Sequence, residues 1–182
     1  TRRRGNLMIV LNILDHYGGD VNILKEDRDG GDAYGLIHQA AEKNLVQLAK
    51  WLYSRNVDVH RLTSETRRTP LMLAALAGHN EMIVRLLHMG AIDTINKLDP
   101  EGNTALHFAA AHCQPEYIQY MMICGAEKSL RNKNNRLPIE EARMRGKLEN
   151  VEAIAAYKDR TKLQRPQIQY FHEEVKNGKK GV

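Results

Sequence analysis

Residues Thr69–Asp93 read T-P-L-M-L-A-A-L-A-G-H-N-E-M-I-V-R-L-L-H-M-G-A-I-D, and their reading decides the fold. The apolar residues fall into two short runs. Leu71, Ala74 and Ala75 line the first, and Met82, Ile83, Leu86 and Leu87 line the second. Both follow the three-and-four spacing of a buried helical stripe. Gly78 and Gly90 close the two runs, where a residue without Cβ takes the left-handed conformation that ends a helix. Pro70 suits a first helical turn, because the N–H it lacks would find no partner there. The stretch predicts helix, tight turn, helix.

The unit recurs on both sides. Thr104 opens T-A-L-H-F-A-A, 35 residues after Thr69, and closes at Gly125-Ala126. Leu137 opens L-P-I-E-E-A, 33 residues further on, and closes at Gly146. Upstream, Gly35 opens G-L-I-H-Q-A-A, 34 residues before Thr69, with Asn44 and Asn56 at the two helix-ending places. Asn is the next most tolerant residue of that backbone geometry. A motif of this kind with a period of about 33 residues resembles the ankyrin repeat family. The resemblance implies an all-α solenoid of stacked helix-turn-helix units with protruding hairpin turns. It covers residues 35–157 clearly and 5–22 more faintly.

Working outward, repeats are expected at about 30–62, 64–97, 99–131 and 132–157, within an ankyrin-repeat domain spanning 1–157. In the first, Leu45, Leu48, Ala49 and Leu52 should face inward, with Trp51 half-buried. In the third, Asp99-Pro-Glu-Gly-Asn-Thr104 fits the family's D-x-x-G-x-T hairpin, with Gly102 at positive φ. Asn135 suits the matching place, whereas Arg67 and Ala33 depart from it. Residues 5–22 read as the second helix of a partial repeat. The charged, Gly-rich linker from Ile23 to Ala33 resembles a calcium loop only in passing, through Asp27 and Asp29. Its glycine is misplaced and His38 stands where a bidentate Glu belongs, so a solvated turn is the better reading. Beyond Tyr157 the period fails. Residues 158–182 form a basic tail, cap or linker, with a short helix at 167–176 carrying Ile168, Phe171, His172 and Val175 on one side.

Charge is unevenly spread. The chain carries 27 Lys+Arg against 22 Asp+Glu, net +5. From Lys128 onward there are 14 against 7, or +7, leaving 13 against 15, or −2, for the remainder. The basic character therefore belongs to the last repeat and the tail, where Arg143, Arg145, Lys147 and Glu149 mark a polar terminal unit. No apolar run approaches the ~18 residues of a membrane span. The opening Thr1-Arg-Arg-Arg-Gly lacks an initiator Met and a leader pattern, as expected of a piece of a longer protein. Two cysteines, Cys113 and Cys124, on different helices of one repeat, read as reduced thiols of an intracellular, cytoplasmic or nuclear protein.

The search for chemistry points away from catalysis. His38 and His107 stand last in the T-P-L-H-like motif, where the resemblance implies hydrogen bonds to neighbouring backbone. His79, in its G-H pair, is structural for the same reason. His112 and Cys113 are adjacent on a helix, about 100° apart, and make a poor metal pair. C-x-x-C, H-E-x-x-H, G-x-S-x-G and Gly-rich phosphate loops are all missing from the sequence. Met121, Met122 and Met144 read as fillers between stacked helices. Tyr117 and Tyr120 read as convex-side residues. No catalytic, cofactor or metal residue is expected.

What the resemblance implies instead is a partner-binding concave face. Position by position it comprises Tyr34, Glu42 and Lys43, then Glu65, Thr66, Arg68, Leu76 and Ala77. It continues with Pro100, Glu101, Asn103, Ala111 and His112, then Lys133, Asn134, Arg136, Arg143 and Met144, with Phe108 beside them. Leu76, Ala77, Phe108 and Ala111 make its middle apolar, and Arg68, Arg136 and Arg143 surround that middle with positive charge. A protein or peptide with an apolar anchor and acidic flanks would suit both features. The expected function is a non-catalytic scaffold module within a signalling or regulatory protein. Two alternatives are nucleic-acid or acidic-surface binding through the basic C-terminal part, and substrate presentation to an enzyme domain outside this piece. Basic residues there are interleaved with Glu140, Glu141, Glu149 and Glu152, which argues against nucleic acid.

Overall fold

The structure is a computed structural model that describes residues 24–25 and 34–158. Within them lie eight α-helices in four pairs. They are α1 (Leu36–Glu42) with α2 (Val46–Ser54), α3 (Pro70–Leu76) with α4 (Asn80–His88), α5 (Ala105–His112) with α6 (Pro115–Ile123), and α7 (Pro138–Met144) with α8 (Leu148–Ala156). A 3-10 turn, Ala91–Thr94, follows α4. The all-α solenoid is as expected, and a two-residue antiparallel pair accompanies it: β1 (Leu24–Lys25) aligns Leu24 with Gly35 and Lys25 with Tyr34 of β2 (Tyr34–Gly35). β1 falls within the linker read from the sequence, whose other residues, Asp27, Asp29 and Ala33 included, lie outside the described ones. The partial repeat at 5–22 and the tail helix at 167–176 lie outside the described residues.

Each helix begins and ends for local reasons. Thr69 Oγ1 accepts from the Met72 N–H at 3.2 Å, and Pro70 occupies the first turn. Thr104 Oγ1 does the same for His107. Such a cap satisfies one of the donors that a helix start leaves unpaired. Six of the eight exits turn at positive φ: Asn44 at 54°, Asn56 at 59°, Gly78 at 71°, Gly90 at 106°, Gly125 at 100° and Gly146 at 69°. Arg67 corrects a sequence expectation. It departs from the family's turn residue, yet it takes φ 47°, beside 77° at Gly102 and 58° at Asn135 in the matching places. The Arg68 N–H bonded to Thr63 Oγ1 and the Thr63 N–H bonded to the Arg68 carbonyl hold that turn closed, offsetting the strain.

Helices of seven to nine residues are too short to persist alone. Stacking supplies their stability. The first helices of successive pairs touch in the order α1, α3, α5, α7, and the second helices in the order α2, α4, α6, α8. One continuous apolar core runs between the rows, from Ile37 through Leu71, Ile83, Leu86, Leu106 and Ile118 to Ile154. Leu48, Ala49 and Leu52 are buried as expected, Leu45 and Trp51 partly so. Met121 and Met122 fill the core, whereas Met144, read as a filler with them, ends α7 at the surface and is exposed. Tyr120, read from sequence as a convex-side residue, is instead buried. Its hydroxyl meets His88 Nε2 at 2.8 Å across the α4–α6 contact, which is how a phenol enters a core without an orphan polar atom. Among the described residues no helix is long and apolar enough to cross a membrane.

Candidate protein-binding face

The first-helix row and the hairpin tips before it carry the positions singled out above, and polar side chains lock successive tips together. At the third tip, Asp99 is buried, and its Oδ1 accepts from the Glu101 and Asn103 N–H groups at 3.0 and 2.8 Å. At the fourth, Asn132 Oδ1 accepts likewise from Asn134 and Arg136 at 3.1 and 3.0 Å. Its amide donates to Asn103 Oδ1 and Glu141 Oε1 at 2.9 and 3.1 Å. The Lys133 N–H donates to the Glu101 carbonyl at 2.9 Å, so these two tips share main-chain pairing as well.

The histidines work as expected. His107 Nδ1 accepts from the Thr104 N–H at 3.1 Å, and its Nε2 bonds the Arg136 carbonyl at 3.1 Å, one repeat further on. Burial disfavours the imidazolium and holds its pKa below the ordinary 6.5. His38 joins Gly35 to Arg61 in the same way, at 3.0 Å on each side. His79 Nε2 bonds the Glu42 carbonyl at 2.8 Å. In the second repeat Met72 takes the histidine's place and offers no such relay. There the link to the next tip is ionic: Arg68 Nε lies 3.3 Å from Asp99 Oδ2. In the fourth repeat Glu140 takes the place, and its Oε2 accepts from the Leu137 N–H at 2.6 Å.

This network decides what the expected site residues can offer. Arg68 is turned back on the protein, bound to Asp99 and with its guanidinium 5.1 Å from the centroid of the Phe108 ring. The apolar middle is therefore partly covered by its own cation. Arg136 faces Glu141 at 3.6 Å. Ala111 is only 7% exposed and adds little surface, while Leu76 and Phe108 are half-buried and Ala77 is exposed. Glu42, Lys43, Glu65, Pro100, Glu101, His112, Lys133, Asn134, Arg143 and Met144 are exposed, and Thr66 and Asn103 are intermediate. Tyr34 lies in β2. Neutralisation of Arg68 was not legible locally, because its partner sits 31 residues away.

Buried thiols complete the inventory. Cys113 and Cys124 are free, and desolvation pushes both up to about 12, so they are inert at neutral pH. Cys113 Sγ rests 3.6 Å from the Ala75 carbonyl of the preceding repeat. Asn150 Nδ2 bonds the Ala110 and Cys113 carbonyls at 2.9 and 3.0 Å, joining the last pair of helices to the third. These contacts are structural.

A family model described as ankyrin repeats (3 copies) matches residues 37–132, more than half of the chain. The chain belongs to the ankyrin repeat family. Its relatives are varied proteins. One is named a probable E3 ubiquitin-protein ligase, from Oryza sativa subsp. japonica. It is 35% identical over 53% of this chain and 21% of its own length. Another is the transient receptor potential cation channel subfamily A member 1 of Homo sapiens, 32% identical over 69% of this chain and 11% of that protein. A third, named a probable 26S proteasome regulatory subunit p28 of Saccharomyces cerevisiae, is 25% identical over 72% of this chain and 58% of its length. The chain thus spans less than two thirds of each of these three relatives. Ankyrin repeats are protein–protein interaction modules, and the stack of repeats is an interaction fold rather than a catalytic one.

Proposed function

We propose that this ankyrin-repeat stack recruits a partner protein or peptide through the face made by its first helices and hairpin tips, as the interaction part of an intracellular signalling or regulatory protein. The observation that carries the reading is the tip network. Asp99, Asn132, His38 and His107 spend their polar atoms on holding successive tips in register, which leaves the tip residues Glu65, Pro100, Glu101, Lys133 and Asn134 exposed on a rigid frame. A preorganised surface of this kind lowers the ordering cost of binding. Nucleic acid is the weaker alternative, since Glu140 and Glu141 pair with Arg131 and Arg136 in the basic part, at 3.4 and 3.6 Å.

Affinity capture with the intact chain, followed by hydrogen exchange of the purified complex, tests this. The expected result is added protection along residues 64–77, 99–112 and 132–144. Protection confined to the second-helix row would overturn the assignment of the face.

A further inference from the structure

The turn between α7 and α8 gathers three cations and two exposed apolar side chains within seven residues. Residues 143–149 are all exposed. Met144 and Leu148 bracket the turn at 61% and 68% exposure, the two most exposed large apolar side chains among the described residues. Three cations, Arg143, Arg145 and Lys147, alternate with them and have no ion-pair partner among the described residues, whereas Arg68, Arg85, Arg131 and Arg136 each face a carboxylate. Three cations against Glu149 leave Arg143–Glu149 at +2. A cation in the last turn of a helix is favoured by the helix dipole, which accounts for Arg143 but not for the exposed Met144 and Leu148. The turn is also open: a Cβ placed on Gly146 would meet nothing within 4 Å.

The preceding repeat contributes His112 to the same corner. Although His112 is exposed overall, partial desolvation of its ring holds its pKa below the ordinary 6.5, followed by the charges of Arg145 and Lys147. Both cations thus act on the His112 imidazole, which places it in the positive field of the corner.

We infer that the α7–α8 corner, Arg143 to Leu148 with His112, docks an acidic linear segment of a partner protein, with an apolar side chain of that segment seated on Met144 and Leu148. This rests on the protein-recruiting function proposed above and moves its charged contact away from Arg68 and Phe108. Carboxylates on the segment would replace the counter-charge that Arg145 and Lys147 lack. The exposed apolar pair supplies the contact that a free counter-ion would not use.

The test uses the 182-residue chain, isotope-labelled, with two synthetic peptides: one placing Leu-Phe between Glu and Asp residues, the other with Gln and Asn in their stead. The acidic peptide should shift the amide resonances of Met144–Leu148 and the His112 ring, and bind at least about tenfold more tightly than the neutral one at low salt. High salt should narrow that gap. Arg145→Glu with Lys147→Glu should abolish the preference, and Leu148→Ser should weaken the acidic peptide severalfold; both sites are exposed, so the fold should persist. Equal binding of the two peptides, or no shifts at the corner, overturns the inference. Shifts centred on Arg68 and Phe108 overturn it while leaving partner recruitment intact. Competition by duplex DNA at equal affinity overturns it in favour of a general polyanion site. Concentration-dependent self-association lost in Leu148→Ser would make the corner a contact between copies.

Discussion

The middle of the proposed binding face and its C-terminal corner are built from the same kind of repeat and the same residue types, yet they treat charge in opposite ways. In the middle, Arg68 is bound to a buried Asp99 and stacked on Phe108. At the corner, Arg143, Arg145 and Lys147 stand beside exposed Met144 and Leu148 with no carboxylate paired to them among the described residues. The difference follows from neighbours. A tip in the interior of a stack has another tip after it, and Asp99 from that next tip reaches Arg68. Arg136, at the place equivalent to Arg68, finds Glu141 on α7 instead. A cation on this face thus keeps its charge uncompensated only where neither the next tip nor its own helix supplies a carboxylate.

The same leucine truncation at the two regions should give the largest contrast. Leu106→Ala, fully buried in α5, is expected to cost about 2–5 kcal/mol in denaturant melts, as a buried Leu truncation does. Leu148→Ala should stay within about 0.5 kcal/mol, as exposed substitutions do. Equal losses would mean that the corner is core, and the comparison would fall.

Removing the carboxylate comes next in size. Asp99→Ala deletes two main-chain bonds and the partner of Arg68, and should destabilise by about 2–3 kcal/mol. Its benefit for binding would be a freed Arg68, so the variant should also gain affinity for acidic peptides in the middle of the face. A stable Asp99→Ala protein with no such gain would show that Arg68 was available from the start.

Glycine substitutions sharpen the contrast in crowding. Gly102→Ala meets both a positive φ of 77° and the Lys133 nitrogen at 3.0 Å, so it should cost more than about 1 kcal/mol. Gly146→Ala carries only the strain of φ 69° and should cost less than Gly102→Ala in parallel thermal melts. The reverse order would contradict the open corner.

A smaller effect concerns acid. The His107 pKa is lowered in the folded protein, so the unfolded chain binds the proton more readily, and stability rises with pH across that window. Above about 6.5 its contribution is fully present, and it is lost as pH falls toward the folded value, at no more than about 1.4 kcal/mol per pH unit. Melts of His107→Gln between neutral and mildly acidic pH should show a shallower slope than the parent. An unchanged slope would remove His107 from the acid response of the stack.

Much of this architecture was legible in the sequence because local chemistry carries it. The glycines at 78, 90, 125 and 146 and the asparagines at 44 and 56 announce helix ends through φ alone. The T-x-L-H spacing announces His107 as a relay. What escaped reading depends on pairs about 30 residues apart. Tyr120 looks amphipathic on its own helix, and only His88 on α4 explains its burial. Arg68 looks like a free surface cation until Asp99 is placed beneath it, although Met72 in the relay position is a visible sign that the second tip needs another tie. Arg145 and Lys147 read merely as a polar terminus, since a sequence does not distinguish a neutralised cation from one that keeps its field.

His112 offers the most direct measurement of that field. Its imidazole titration, followed by NMR in the parent and in Arg145→Gln with Lys147→Gln, separates charge from burial. The account predicts a pKa below 6.5 in the parent and a partial rise in the variant, partial because burial is the larger cause and remains. An identical titration in both proteins would contradict the claim that the C-terminal corner holds uncancelled positive charge.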